Sequence, residues 1–195
     1  MSIILASASP RRKEILEMTN LKFKVITSDV EEIISENENP KQVTMRLAFE
    51  KAMSIAKENE KSIIIGADTV VVIDNEILGK PKDENEAFQM LKKLSNNTHE
   101  VITGISVIDI SQNKKYIDNV VSKVTFKSLS EQDICDYINT KESIDKAGAY
   151  GIQGYGSMLV KKIDGDYLNI VGLPLSKLSE ILKSNFNINL FTEGI

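Results

Sequence analysis

The chain has 195 residues, 42% of them apolar, with 24 basic against 28 acidic side chains and a formal net charge of −4. That length buries a substantial core, and an acidic whole excludes a broadly basic surface for tracking nucleic acid while leaving room for a local cationic pocket. No apolar run approaches the roughly 20 residues that span a bilayer, and a single cysteine makes no internal disulfide, so a cytoplasmic setting with no membrane is expected.

Branched apolar segments alternate with amphipathic ones: strands are predicted near 2–6, 23–28, 63–73, 101–110, 116–127 and 157–163, and helices near 10–19, 41–58, 83–95, 130–140 and 174–185. The pattern is α/β. Proline and glycine are sparse and no linker-like tract appears, which favours a single domain. Ser111-Gln112-Asn113-Lys114 joins two consecutive strands as an antiparallel hairpin, so a mixed sheet is expected.

The first strand runs into Ser7-Ala8-Ser9-Pro10-Arg11-Arg12. Serine is a preferred helix N-cap and proline suits the first helical position, so a helix begins here. Two arginines then stand at the positive end of its dipole, where acidic side chains are favoured. Such a mouth suits an anion, above all a polyphosphate that accepts both free amides and guanidinium bonds. A capped helix start with no ligand is the alternative. Asp29, Glu31 and Glu32 follow the second strand as an acidic cluster, suited to Mg²⁺ or simply solvated.

In the next helix Val43, Leu47, Ala48, Ala52, Ile55 and Ala56 share an apolar face, and Lys51 falls on that inward stripe. It binds a ligand, pairs with an acid, or snorkels. Asp68 interrupts the apolar run Ile63 to Ile73 at a Gly66-Ala67 step, and a buried carboxylate requires cations, a metal-bound water or a solvent-filled cleft. It is the candidate general base, with a turn-capping aspartate as the alternative. Lys80, between Gly79 and Pro81, has the extended backbone and free loop of a residue that reaches into a cleft, or of an exposed turn. His99 has no partner spacing for a metal and reads as surface or structural, and Cys135 reads as a packing residue. Residues 147–156 hold four glycines and two tyrosines around Gln153, fitting a base-binding loop or a tight turn; Gly165 to Pro174 reads as architecture. G-x-G-x-x-G and Walker A sequences are absent.

With these segments in order, residues 3 to about 185 resemble the Maf family of nucleoside triphosphate pyrophosphatases. The resemblance rests on Ala6-Ser7-x-Ser9-Pro10-Arg11-Arg12, Glu50-Lys51-Ala52, Gly66-Ala67-Asp68-Thr69-Val70, Leu78-Gly79-Lys80-Pro81, Val101-Ile102-Thr103-Gly104, Lys146 to Gly154 and Val171-Gly172-Leu173-Pro174. It implies a single Maf-like domain over 1–185 with a tail at 186–195. The implied fold is a mixed, bent central sheet flanked by helices with a cleft between two lobes, as in inosine triphosphate pyrophosphatases. The implied reaction splits a nucleoside triphosphate between its α and β phosphates with a divalent cation, Mg²⁺, Mn²⁺ or Co²⁺. Carried over, Asp68 looks like the proton acceptor for the attacking water and a metal residue; Ser9, Arg12, Lys51 and Lys80 look like the triphosphate binders; Glu32 looks like a metal or water partner. Arg11, Thr69 and Gln153 match the subgroup acting on dTTP and UTP, extending to modified pyrimidine triphosphates. The expected partner is a small-molecule nucleotide, and a homodimer is one expected assembly. The competing expectation from the same family is a nucleotide-binding regulator of septum formation without essential catalysis.

Overall fold

The computed structural model describes residues 2–34 and 38–192. Its strands are β1 (Ser2–Ala6), β2 (Phe23–Val25), β3 (Ser62–Ile73), β4 (Glu76–Leu78), β5 (Thr98–Asp109), β6 (Lys114–Phe126) and β7 (Val160–Asp164). Its helices are α1 (Pro10–Glu17), α2 (Pro40–Ala56), α3 (Glu84–Leu94), α4 (Glu131–Asn139), α5 (Tyr167–Val171) and α6 (Leu175–Phe186), with 3-10 turns at 147–149 and 154–159. The strand order is β2-β1-β3-β5-β6-β7, with β4 paired to β3. The mixed α/β class expected from the alternation of segments is what is found.

The chain divides into two compact units. The first comprises 1–68, 103–120 and 172–195; the second comprises 69–102 and 121–171. In the first unit β1 pairs in parallel with β2 and with β3, Ile4 opposite Lys24 on one side and Ile64 on the other. Buried on both edges and rich in isoleucine, β1 has the character of a central parallel strand. Ile4, Ala6, Ile64 and Ile108 pack with Ala52, Ile55 and Ala56 of α2.

Two glycines let α2 approach the sheet closely. A Cβ on Gly66 of β3 would stand 2.3 Å from the Ala48 carbonyl oxygen, and one on Gly104 of β5 would stand 2.1 Å from that of Thr44. Side chains of a strand alternate between its faces, so Ile64, Gly66 and Asp68 share the face that meets α2. That contact carries Lys51 to Asp68.

In the second unit β4 turns back antiparallel on β3, and β7 pairs antiparallel with β6, with a register shift at Thr125/Phe126. The Phe126 amide donates to the Asn97 carbonyl at 3.0 Å and Thr98 meets Thr125, so β5 and β6 run antiparallel as expected of the hairpin. Val70, Val72 and Ile102 form an apolar cluster in this unit. The elements not anticipated are all short: β4, α5 and the two 3-10 turns. At the C-terminus the Ile188 amide donates to Leu182 and Leu190 is buried, so 187–192 folds onto the first unit, while 193–195 of the expected tail lie outside the described residues.

Candidate active site

The mouth of α1 is built as its sequence predicts. Ser9 is extended (φ −72°, ψ 117°), its hydroxyl accepts the Arg12 amide at 3.5 Å, Pro10 opens the helix, and no acidic residue stands in the first turn. Ser7, buried at the end of β1, adds what sequence reasoning did not assign. Its hydroxyl accepts the Ser9 amide at 3.2 Å and Arg12 Nη1 at 3.3 Å. Arg12 Nε donates to the Gly172 carbonyl at 2.8 Å, which draws the segment read only as architecture into the site. The guanidinium is thus aimed by two fixed acceptors. Desolvation lowers its pKa, Asp68 and Glu32 raise it, and the neighbouring Arg11 lowers it. An arginine remains cationic under these influences, so a desolvated positive charge lies in the field of both carboxylates.

Lys51 is the hinge of the cluster. Only 7% exposed, it donates from Nζ to Asp68 Oδ1 at 2.5 Å and to Glu32 Oε1 at 2.6 Å. Asp68 is itself 5% exposed. Acid pairing, one of the outcomes open to Lys51 on its inward stripe, is present. A charge buried this far requires a partner of opposite sign, and each of these two supplies the other's. Glu32 reaches in from an exposed loop that Arg46 secures: Nη2 donates to the Ile33 carbonyl at 2.9 Å, and Nε and Nη2 donate to the two oxygens of Glu38 at 3.0 and 3.1 Å. Bonding to Glu38 raises the Arg46 pKa.

Glu32 and Asp68 converge on one ammonium, so the point between these two oxygens is held by Lys51 Nζ. Among the described residues no group of three His, Cys, Asp or Glu gathers as a metal site. Two carboxylates, with the rest of the shell supplied by water and phosphate oxygens, suit Mg²⁺, and the donor set fits such an ion.

The structure therefore brings Ser9, Arg11, Arg12, Glu32, Lys51 and Asp68 into one unit. Thr69, the residue after Asp68, is half-buried and opens the second unit, where exposed Lys80 and exposed Gln153 also lie. There the Gly148 amide donates to the Gly79 carbonyl at 3.0 Å, tying the Lys80 loop to the glycine-rich segment. His99, expected at the surface or in a structural role, is structural: 1% exposed, with Nε2 2.7 Å from the Tyr150 hydroxyl and its ring edge-on to Phe126 and Tyr150. Burial lowers its pKa to about 4. Cys135 is exposed, against the expectation of a packing residue, because the buried face of α4 is made by Ile134, Tyr137 and Ile138 and the residue between turns outward.

A guanidinium fixed at a helix mouth, beside a buried lysine shared by two carboxylates on a mixed α/β sheet, is an arrangement suited to a polyphosphate. The chain belongs to the Maf-like protein family, which matches residues 2–185. It is 64% identical over 191 residues to the dTTP/UTP pyrophosphatase of Clostridioides difficile (strain 630), covering 98% of both chains. It is 50% identical over 195 residues to that of Caldanaerobacter subterraneus subsp. tengcongensis, covering 100% of this chain and 94% of the relative. The fold is also that of the Staphylococcus aureus Ham1 protein, at a TM-score of 0.51 and 16% identity over 82% of this chain and 80% of the other.

Proposed function

We propose that this protein hydrolyses dTTP and UTP, and modified pyrimidine triphosphates, between the α and β phosphates. The products are a nucleoside monophosphate and pyrophosphate. The observation that carries the reading is Asp68, a buried carboxylate with Oδ1 2.5 Å from Lys51 Nζ. Binding alone gains little from a carboxylate near phosphate except through a shared cation, because like charges repel, whereas hydrolysis requires a base. Asp68 takes a proton from water as the water oxygen bonds to the α phosphorus. The bond from that phosphorus to the bridging oxygen breaks, and pyrophosphate leaves with its electron pair.

Arg12, Lys51 and Lys80, with Ser9, are assigned to the triphosphate, and Lys51 also orients Asp68. Charge neutralisation and alignment are the bulk of what phosphoryl transfer demands, so no covalent nucleophile is needed. Glu32 and Asp68 would hold the divalent cation, Mg²⁺, Mn²⁺ or Co²⁺, which would screen the phosphate charge. Arg11, Thr69 and Gln153 are assigned to choice of base. The Gln153 amide offers one acceptor and one donor, the complement of N3–H beside O4 in uracil and thymine. An exposed free thiol at Cys135 is compatible with a reducing cytoplasm, and family resemblance is what supports a homodimer.

The test is product analysis over a panel of natural and modified triphosphates, with Asp68→Asn beside the native protein. Pyrophosphate from dTTP and UTP is expected, with turnover lowered by about 10²-fold or more in the variant while nucleotide binding persists. Orthophosphate as the product overturns the reading. Tight nucleotide binding without any turnover also overturns it, in favour of a regulator that only binds.

A further inference from the structure

Gln153 lies in a loop held by one carboxylate, directly on its C-terminal side and through the Tyr137 hydroxyl on its N-terminal side. Glu142, half-buried just after α4, accepts the Tyr155 amide on Oε2 at 2.9 Å and the Gly156 amide on Oε1 at 3.0 Å. The same Oε1 accepts the Tyr137 hydroxyl at 3.0 Å, and that hydroxyl accepts the Gly151 amide at 3.1 Å. Two residues before Gln153 and two residues after it, the backbone is therefore tied to a single acidic group. The contact is close on both sides. A Cβ on Gly154 (φ +64°) would stand 2.4 Å from Oε2, and one on Gly151 would stand 2.9 Å from Oε1. The carboxylate fills the space that side chains would take, which gives a local cause for glycine at these positions.

Three donors on two oxygens need a group that only accepts. A carboxylate satisfies all three, whereas an amide would present an N–H₂ to at least one N–H or O–H donor. Bonds to an ionised acceptor are also shorter and stronger than neutral ones. The hydrogen bonds of its carboxylate go to the loop backbone and to Tyr137, and none of these atoms is a reacting one.

We infer that Glu142 is a positioning residue for base selection, fixing the 151–156 backbone so that the Gln153 side chain meets the pyrimidine edge in one register. This rests on the assignment of Gln153 to the base under the proposed function. Loss of the brace leaves the loop folded on its other contacts with several orientations open to Gln153, so the effect falls on KM and on discrimination between bases.

The experiment compares Glu142→Gln and Glu142→Asp with the native protein, using dTTP, UTP, CTP and GTP as substrates. Inorganic tripolyphosphate, which has no base, serves as a competitive inhibitor. The native panel is run first, and absence of turnover on every triphosphate overturns the proposed function and the role of Glu142 with it. Where the native protein prefers dTTP and UTP, Glu142→Gln is expected to raise KM for both by about tenfold, the cost of one or two charge-assisted bonds. The preference over GTP should shrink by the same factor, with the tripolyphosphate inhibition constant unchanged. Glu142→Asp, which keeps an acceptor-only group, should recover part of the preference. A variant that melts lower yet keeps the native preference shows a purely structural residue and overturns the inference. So does loss of tripolyphosphate inhibition in step with KM, and so does failure of Glu142→Asp to differ from Glu142→Gln.

Discussion

Replacing Gly66 by alanine perturbs the site without touching any residue assigned to it. The new Cβ would lie 2.3 Å from the Ala48 carbonyl oxygen, 2.9 Å from the Ala52 Cβ and 3.1 Å from the Ala52 amide nitrogen. An ordinary contact begins near 3.4 Å, so helix and strand must separate by 3.4 − 2.3, or about 1.1 Å. The obstacle is backbone on both sides, which no rotamer change relieves, so the cost belongs at the upper end of overpacking, about 3 kcal/mol. For a chain of this size that is a fall in Tm of about 6–12 °C. The catalytic effect follows from the same displacement. Moving Lys51 Nζ away from its 2.5 Å contact with Asp68 by that amount takes the pair beyond hydrogen-bonding distance, and misplacements near 1 Å cost about a hundredfold in rate. Urea unfolding and kcat/KM for dTTP measure the two effects on one preparation. Gly104→Ala is the comparison, because its Cβ would meet the Thr44 carbonyl at 2.1 Å, about two turns upstream of Lys51. Its stability loss should be similar and its catalytic loss smaller. Native melting and native turnover in Gly66→Ala would refute the close-contact argument, and equal catalytic losses in the two variants would refute the link to Lys51.

Acidification should weaken the fold through His99, whose pKa is lowered by burial from 6.5 to about 4. The unfolded chain binds this proton more readily, so the contribution is intact above pH 6.5 and is lost as pH falls towards 4, by about 3 kcal/mol in all. His99→Gln should flatten the dependence of the urea midpoint on pH over that window, and an unchanged slope would count against it. Gln153→Glu should depress turnover of dTTP and UTP and admit guanine nucleotides, whose N1–H and N2–H₂ match a carboxylate. Unchanged relative rates across the nucleotide panel would defeat that assignment. Chelation with EDTA should abolish turnover and added Mg²⁺ should restore it, whereas full activity in the chelator would remove the metal role given to Glu32 and Asp68.

What was readable in the chain followed from periodicity and from conflict. Lys51 stood out because a 3.6-residue apolar stripe should hold no charge, and Asp68 because a carboxylate broke an isoleucine-rich strand; each conflict proved to be the other's solution, a contact of 2.5 Å. Glycine 66 was legible as a site of close approach, though which helix approached was not. Groups whose role rests on backbone partners left no such trace. Ser7 looked like one more serine in a turn until Arg12 was seen to reach it, and Gly172 contributes only a carbonyl. Glu142 answers donors up to 14 residues away, two of them main-chain amides that any residue at those positions would present. The short elements β4 and α5, of three and five residues, are set by tertiary pairing more than by local pattern.

The tension at the head of α1 is resolved in the same terms. Arginines at a helix N-terminus oppose the dipole, and no acidic side chain in that first turn offsets them. The compensation is tertiary, since Asp68 and Glu32 both act to hold the Arg12 proton against desolvation. Arg12 and Lys51 against Asp68 and Glu32 makes two positive and two negative charges, so the cluster is near neutrality before any ligand arrives. A triphosphate entering it brings several negative charges that these four groups do not balance. A divalent ion between the carboxylates and the phosphates would supply part of that balance. The same pairing is what lets a buried lysine and a buried aspartate coexist here: each is the other's counter-ion, and removing either would leave an uncompensated buried charge.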